Sequence, residues 1–284
     1  MLGAVVSSPG WRCLVVALLS IGALALSPVP VARADSGVIT TDWLRLRDDL
    51  WGSVVGSLPQ GARVRINARA WDQEGATWYY VTTGGGALGW VYGEYVSRVR
   101  DAWARVGLQA GHWRYQEADY PLNQEPGASA AGLAEGDVNL AIALTLSRRL
   151  SVRGIAVDLL PTAIPPGYQA DAVVAIHADS GPSYVRGFFV DRPFRSPVAG
   201  AEAALAHQLI ASHARWTGIP YVPRSTADSR GYYGFRDVDP QTPMVLIETG
   251  CLTNPADRAI IAGRPDLVAD ALAGGIETYL EERG

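Results

Sequence analysis

The 284-residue chain contains no lysine: its 24 basic residues are all arginine, set against 28 acids for a formal net charge of −4. No basic tail or patch interrupts that balance, which excludes the charge pattern of a nucleic-acid-binding protein. Cysteine is almost absent, with only Cys13 and Cys251. Cys13 lies in an N-terminal segment that reads as removable, so the remaining chain can form no intrachain disulfide and must rely on core packing. Cys251 follows an apolar strand and reads as a packing residue rather than a nucleophile. Only four histidines are present: His112, His177, His207 and His213.

The N-terminus supplies the one targeting signal. Arg12 precedes an apolar run from Cys13 to Leu26, broken only by Ser20 and Gly22, and Pro28, Pro30 and Ala32-Arg33-Ala34 follow. A short apolar run ending in a small-residue processing pattern reads as a secretory signal peptide, residues 1–34, cleaved after Ala34. The run is short for a spanning helix, so no stable membrane anchor is expected after cleavage. Cys13 also lacks the preceding Leu-x-Gly/Ala context of a lipoprotein attachment site. Removing Arg12 and Arg33 leaves 22 basic residues against 28 acids, a charge of −6.

Residues 37–99 read as short strands and turns. Leu44-Arg45-Leu46-Arg47 and Ala62 to Asn67 alternate at period two, and turn signals fall at Pro59-Gln60-Gly61 and Gly84-Gly85-Gly86. The pattern predicts a small all-β barrel. It holds five of the nine tryptophans: Trp78 and Trp90 read as core, while Trp43, Trp51 and Trp71 lie nearer turns and suit a binding surface.

From about Trp103 strands alternate with helices. Strands are predicted at 104–109, 155–160, 171–177, 187–190 and 244–248, and helices at 139–150, 199–216 and 265–280. Continuous apolar strands separated by helices predict an α/β unit over 101–284: a mainly parallel sheet covered by helices on both faces. Asn254-Pro255 reads as a helix N-cap followed by a first-turn proline.

Three apolar runs each end in one metal- or proton-active side chain. His112 follows Val106 to Gly111, His177 ends Asp171 to Ile176, and Glu248 ends Val245-Leu246-Ile247. Residues just past buried strands of an open sheet converge. Glu135 stands at the start of the first helix. Two histidines and one glutamate form the protein ligand set of a catalytic zinc with an open fourth position, and a further glutamate would act as base. Singly, each has an ordinary reading. His112 would suit a surface loop, His177 a hydrogen-bonded core, and Glu135 the positive end of a helix dipole. Glu248 stands out most, because a carboxylate after three buried apolar residues is costly unless paired or functional. His207 and His213 lie six apart on one helix, a spacing that does not make a ligand pair, and both read as surface or rim residues.

Two resemblances emerge. Leu44 to Arg47, Val55 to Gly61, Trp78 to Val81, Gly89-Trp90-Val91 and Tyr95-Val96 resemble a bacterial Src-homology-3-like domain over residues 35–100, which implies retention on the cell wall. Gly111-His112, Glu135-Gly-Asp137-Val-Asn139-Leu140, Ala170 to Ala178 and Pro243 to Asn254 resemble, in order, the motifs of the zinc-dependent N-acetylmuramoyl-L-alanine amidases over residues 101–284. The chain departs from that family in three places. The glycine pair after the first histidine is missing, Leu159-Leu160-Pro161-Thr162 stands where Thr-Arg is usual, and Cys251 replaces phenylalanine.

The amidase resemblance implies zinc held by His112, Glu135 and His177, with Glu248 as general base and then general acid. It implies cleavage of the amide joining N-acetylmuramic acid to L-alanine in peptidoglycan, by a secreted, wall-associated monomer. Residues 115–134 are expected to line or gate the cleft. A zinc peptidase acting on stem peptides and a non-catalytic wall-binding protein are the rival readings. Residues 101–284 alone are expected to act on soluble muropeptides.

Overall fold

The computed structural model describes residues 34–225 and 227–283. The expected signal peptide therefore lies outside the described residues, save Ala34. The described chain runs β1 (Ser36–Ile39), β2 (Trp43–Arg47), β3 (Val54–Pro59), β4 (Arg63–Trp71), β5 (Thr77–Thr83), β6 (Leu88–Tyr92), β7 (Val96–Val99) and β8 (Ala104–Ala110). Then come β9 (Ser129–Ala130), β10 (Leu133–Ala134), α1 (Glu135–Ser151), β11 (Ile155–Leu160), β12 (Ala172–Asp179) and β13 (Phe189–Asp191). The remainder is α2 (Ala199–Thr217), α3 (Ala227–Arg230), α4 (Gly234–Asp237), β14 (Met244–Cys251), α5 (Pro255–Ile261) and α6 (Pro265–Arg283). No described helix is long and apolar enough to cross a membrane.

One large mixed sheet organises these elements, in the order β13-β14-β12-β8-β11-β4-β5-β6-β2-β3, with β1 on β4 and β7 on β1. The β14-β12-β8-β11 segment is parallel, and β13 is an antiparallel edge. The pairings among β1 to β7 are all antiparallel. The two segments meet where β4 pairs β11 in parallel, Arg69 opposite Asp158.

Strand β4 serves two cores. Its pairing with β5 slips between Ile66 and Ala68, leaving Asn67 as the extra residue of a bulge. A bulge turns the following side chains to the other face. Val64 and Ile66 thus pack with Leu44, Leu46, Val81 and Val91 in a small core. Ala68 and Ala70 instead join Trp78, Tyr80 and Trp90 in the large core shared with Val106, Ile142 and Val157. Asn67, fully buried, satisfies its amide by donating to Thr82 Oγ1 at 2.9 Å and accepting from Ser151 Oγ at 3.2 Å.

The sheet faces differ from expectation. Val174, Ile176, Val245 and Ile247 point into the core with Ile142 of α1, Leu209 of α2 and Ile276 of α6. Their neighbours Val173, Ala175, Met244 and Leu246 pack on the opposite side against Ile164, Tyr168, Tyr232 and Val238. The long helices cover one face only; loops and the short α4 cover the other. An apolar strand shows that both faces are buried, but not by what. The Asn254 cap is as expected: its Oδ1 accepts from Ala256 N at 3.0 Å and Asp257 N at 3.2 Å, with Pro255 opening α5.

His213 corrects the sequence reading. His207 is exposed, but His213 is fully buried, with Nε2 2.8 Å from the Thr249 carbonyl and its ring 4.5 Å from Phe188. Leu205, Leu209 and His213 recur every fourth residue along one helical stripe, so His213 shares the core-facing side of α2. Burial lowers its pKa from 6.5 to about 4, opposed weakly by the Thr249 bond and Asp257. The folded imidazole is neutral where the unfolded one is already protonated. Stability is therefore complete above pH 6.5 and falls as pH drops toward 4, by roughly 3 kcal/mol at most. His213→Gln should flatten that part of the melting-temperature profile; an unchanged acid slope would reject it as the source.

Candidate metal centre

The carboxyl ends of β8, β12 and β14 lie side by side, and the four candidate residues come together there. His112 stands two residues beyond β8, Glu135 opens α1, and His177 lies near the end of β12. One ligand atom from each of His112, Glu135 and His177 falls within 4.8 Å of the others. His112 Nε2 is 3.6 Å from Glu135 Oε2, and His177 Nδ1 is 3.2 Å from Glu135 Oε1. The imidazole rings stand 5.1 Å apart and nearly perpendicular. Glu248 is the cross-strand partner of His177.

Each imidazole has one nitrogen held from outside. His112 Nδ1 lies 2.8 Å from the Glu125 carbonyl, so it carries the proton and leaves Nε2 as the lone-pair donor. His177 Nε2 lies 3.2 Å from the Tyr232 hydroxyl, leaving Nδ1 toward Glu135. Tyr232 donates on to Tyr233 at 3.2 Å, and Tyr233 to the Thr162 carbonyl at 2.9 Å. Glu135 accepts from Ala128 N at 2.8 Å, Ala178 N at 3.1 Å and Asn139 Nδ2 at 3.3 Å. Outer partners that fix tautomer and carboxylate orientation are what a metal's ligands require. Two imidazole nitrogens and a carboxylate, aimed at one point and braced from behind, fit a metal ion.

Backbone geometry tightens the cluster. His112 sits in the left-handed region at φ 62°, a conformation where histidine is several-fold enriched. A Cβ at Gly111 would stand 2.4 Å from the His177 ring, so glycine is required for the β8 turn to pass it. A Cβ at Gly127 would lie 2.6 Å from the His112 ring, so the 125–128 backbone bears directly on two of the candidate ligands.

The two carboxylates are driven apart. Burial alone would raise Glu135, but when the facing imidazoles are protonated the His177 bond and the His177 and His112 charges outweigh it and hold the group well below the ordinary range. Glu248 moves the opposite way: burial, then the Glu135 charge, push it well above the ordinary range, against a smaller pull from Arg224. Its Oε2 is shielded and accepts no hydrogen bond from the described protein.

Gln109, Tyr232 and Tyr233 were not found from sequence; Glu125, Gly127 and Ala128 fall in the 115–134 stretch expected to line the cleft, without their contacts to the cluster being foreseen. Gln109 alone carried a signal, a polar residue inside the apolar run Val106 to Ala110. It is fully buried, 3.4 Å from the Tyr233 hydroxyl. The others act through backbone atoms or from a loop without periodicity.

A mixed sheet whose parallel segment carries a histidine–glutamate–histidine cluster at its carboxyl edge defines an α/β protein with a candidate metal centre. Residues 106–278 match the family described as N-acetylmuramoyl-L-alanine amidase, and the chain belongs to that family. The N-acetylmuramoyl-L-alanine amidase Rv3717 of Mycobacterium tuberculosis is 32% identical over 123 residues, which cover 40% of this chain and 50% of that protein. The match thus spans half the length of that relative. Ami1 of Mycobacterium smegmatis superposes with a TM-score of 0.51 at 24% identity, over 65% of this chain and 100% of that one. An N-acetylmuramoyl-L-alanine amidase of Clostridium difficile 630 gives 0.50 at 21%, over 64% and 98%. Both likenesses are of fold.

Proposed function

We propose that the protein is a secreted, zinc-dependent peptidoglycan amidase that cleaves the amide between N-acetylmuramic acid and L-alanine. The observation that carries this reading is the His112–Glu135–His177 cluster with Glu248 in register beside it. Zinc held by those three side chains would supply Lewis acidity for the scissile carbonyl and for water. Glu248 takes the proton of the attacking water and returns it to the leaving alanine nitrogen. Burial and the Glu135 charge raise its affinity for a proton, the direction a general base requires. Asn139 ties Glu135 to the Gly111 carbonyl at 3.0 Å and so holds the β8 turn and α1 in fixed relation.

Residues 35–100 serve, in the same proposal, as a Src-homology-3-like barrel that holds the enzyme on the wall. Trp43 is 68% and Trp51 58% exposed, and with Tyr92 and Tyr95 they line a groove of about 520 Å³. Trp78 and Trp90 are buried and shape the core beneath.

Digestion of purified peptidoglycan, read by product mass, tests the activity. Stem peptides with a free alanine amine and glycans with a free lactyl carboxylate are expected. Cuts inside the stem would mean a peptidase, and binding without cleavage a non-catalytic wall protein. The mature protein should carry one zinc per chain, and His177→Ala should lose it with circular dichroism unchanged. Full zinc in that variant would overturn the ligand set.

A further inference from the structure

Two residues beyond His112, Arg114 also lies in the left-handed region, at φ 57°. Arginine has no short polar side chain to bond its own backbone there, so the conformation persists only where the surroundings impose it. The side chain shows what imposes it. Nη1 donates at 2.6 Å to the carbonyl of Trp71, the last residue of β4. Nε donates to Glu117 Oε2 at 2.8 Å, and Nη2 pairs with the same oxygen. The guanidinium lies 5.3 Å from the Trp113 ring, and the side chain is only 13% exposed. The residue between the two is fixed as firmly. Trp113 is buried, its N donates to the Ala110 carbonyl at 3.1 Å, and its carbonyl accepts from Thr162 N at 2.9 Å and Thr162 Oγ1 at 3.0 Å.

His112 depends on this turn more than the other two candidate ligands depend on theirs. Glu135 belongs to α1 and His177 to β12, where regular backbone hydrogen bonding holds them; His112 stands outside any strand or helix. One side-chain bond, to the Glu125 carbonyl, orients its ring. A backbone rotation within 112–114 therefore carries Nε2 away from Glu135.

We propose that Arg114 is a positioning residue: by tying the His112 turn to the end of β4, it makes the antiparallel segment of the sheet part of the metal centre. The inference rests on the zinc reading. Contacts behind a metal's ligands typically govern its affinity by about 10–100-fold. The guanidinium suits the task because its planar fork bonds two partners at once, here a backbone carbonyl and a carboxylate.

Zinc titration of the full-length protein against a chromophoric chelator reads this apart from turnover. The parent should bind one zinc, and Arg114→Gln should bind it about ten- to a hundredfold more weakly. Arg114→Lys keeps the charge but offers no fork for the two partners, so it should recover only part of the loss. With cobalt(II) in place of zinc, the visible absorption follows ligand geometry, and Arg114→Gln should change its position or intensity. Circular dichroism confirms that each variant is folded. An arginine that merely fastened the two sheet segments together would alter the melting temperature of the metal-free protein and nothing else. Unchanged zinc affinity or an unchanged cobalt spectrum in folded Arg114→Gln therefore overturns the proposal. Should that variant not fold, Arg114→Lys decides alone: parental affinity overturns the positioning role, and weaker binding supports it. A parent that binds no zinc rejects the zinc reading itself, and the positioning role with it.

Discussion

Glu248→Gln is expected to leave the protein folded and zinc-loaded while its turnover falls by about 10²–10⁴-fold, the usual contribution of a general acid–base group. Glutamine keeps the shape and the place on β14 opposite His177. It loses the basicity that burial and the neighbouring Glu135 charge enhance. The same exchange at Glu135 should act differently. Glu135 lies between both imidazoles, at 3.6 Å and 3.2 Å, and accepts three further hydrogen bonds that orient it. Glu135→Gln removes a charged donor from the cluster, so zinc retention should weaken before any effect on the chemistry can be read. Metal analysis beside single-turnover rates distinguishes the two. Zinc loss at Glu248→Gln with retention at Glu135→Gln would show the roles exchanged. Near-normal turnover by a folded, zinc-loaded Glu248→Gln enzyme would reject the acid–base role.

The sequence revealed most where one periodicity held for long enough. The strand predicted at 155–160 is β11, and the helix predicted at 199–216 differs from α2 by one residue. Glu248 and His177 were legible because a charged or polar group at the end of an apolar strand needs a reason to be there. The same signal at Asp158, inside Ile155 to Leu160, passed unused, though that carboxylate is fully buried. The spacing of His213 to His207 says nothing of its burial; the stripe it shares with Leu205 and Leu209 puts it on the core side of α2. Tyr232 and Tyr233 lay beyond reach. They meet the cluster through tertiary contacts from loops, where no period links sequence distance to direction.

Deleting residues 35–100 is expected to leave 101–284 aggregating or loosely packed rather than as an independent enzyme. The change in sequence character near Arg100 suggested separability, but composition cannot report a shared core. Ala68, Ala70, Trp78, Tyr80 and Trp90 pack in the same cluster as Val106, Ile142, Leu146 and Val157. Without them that side of the large core and the β11 edge meet water, and an exposed edge invites pairing with other chains. The junction also holds a buried charge. Asp158 accepts from Arg69 at 2.9 and 2.7 Å, from Arg105 at 2.8 Å and from the Tyr168 hydroxyl at 2.9 Å. Removing one partner of a buried ion pair costs about 3–5 kcal/mol. Arg69→Met in the whole protein should fall near the lower end, about 3 kcal/mol, because Arg105 and Tyr168 remain and Arg69 is itself about a quarter exposed. Asp158→Asn added to Arg69→Met should recover part of that loss, since the buried group then carries no charge for Arg105 alone to balance. Denaturant unfolding of the full-length variants measures both steps. A 101–284 fragment that is monomeric by size exclusion and melts cooperatively near the full chain would show that the shared core is dispensable. An Arg69→Met protein as stable as the parent would show the same of the ion pair.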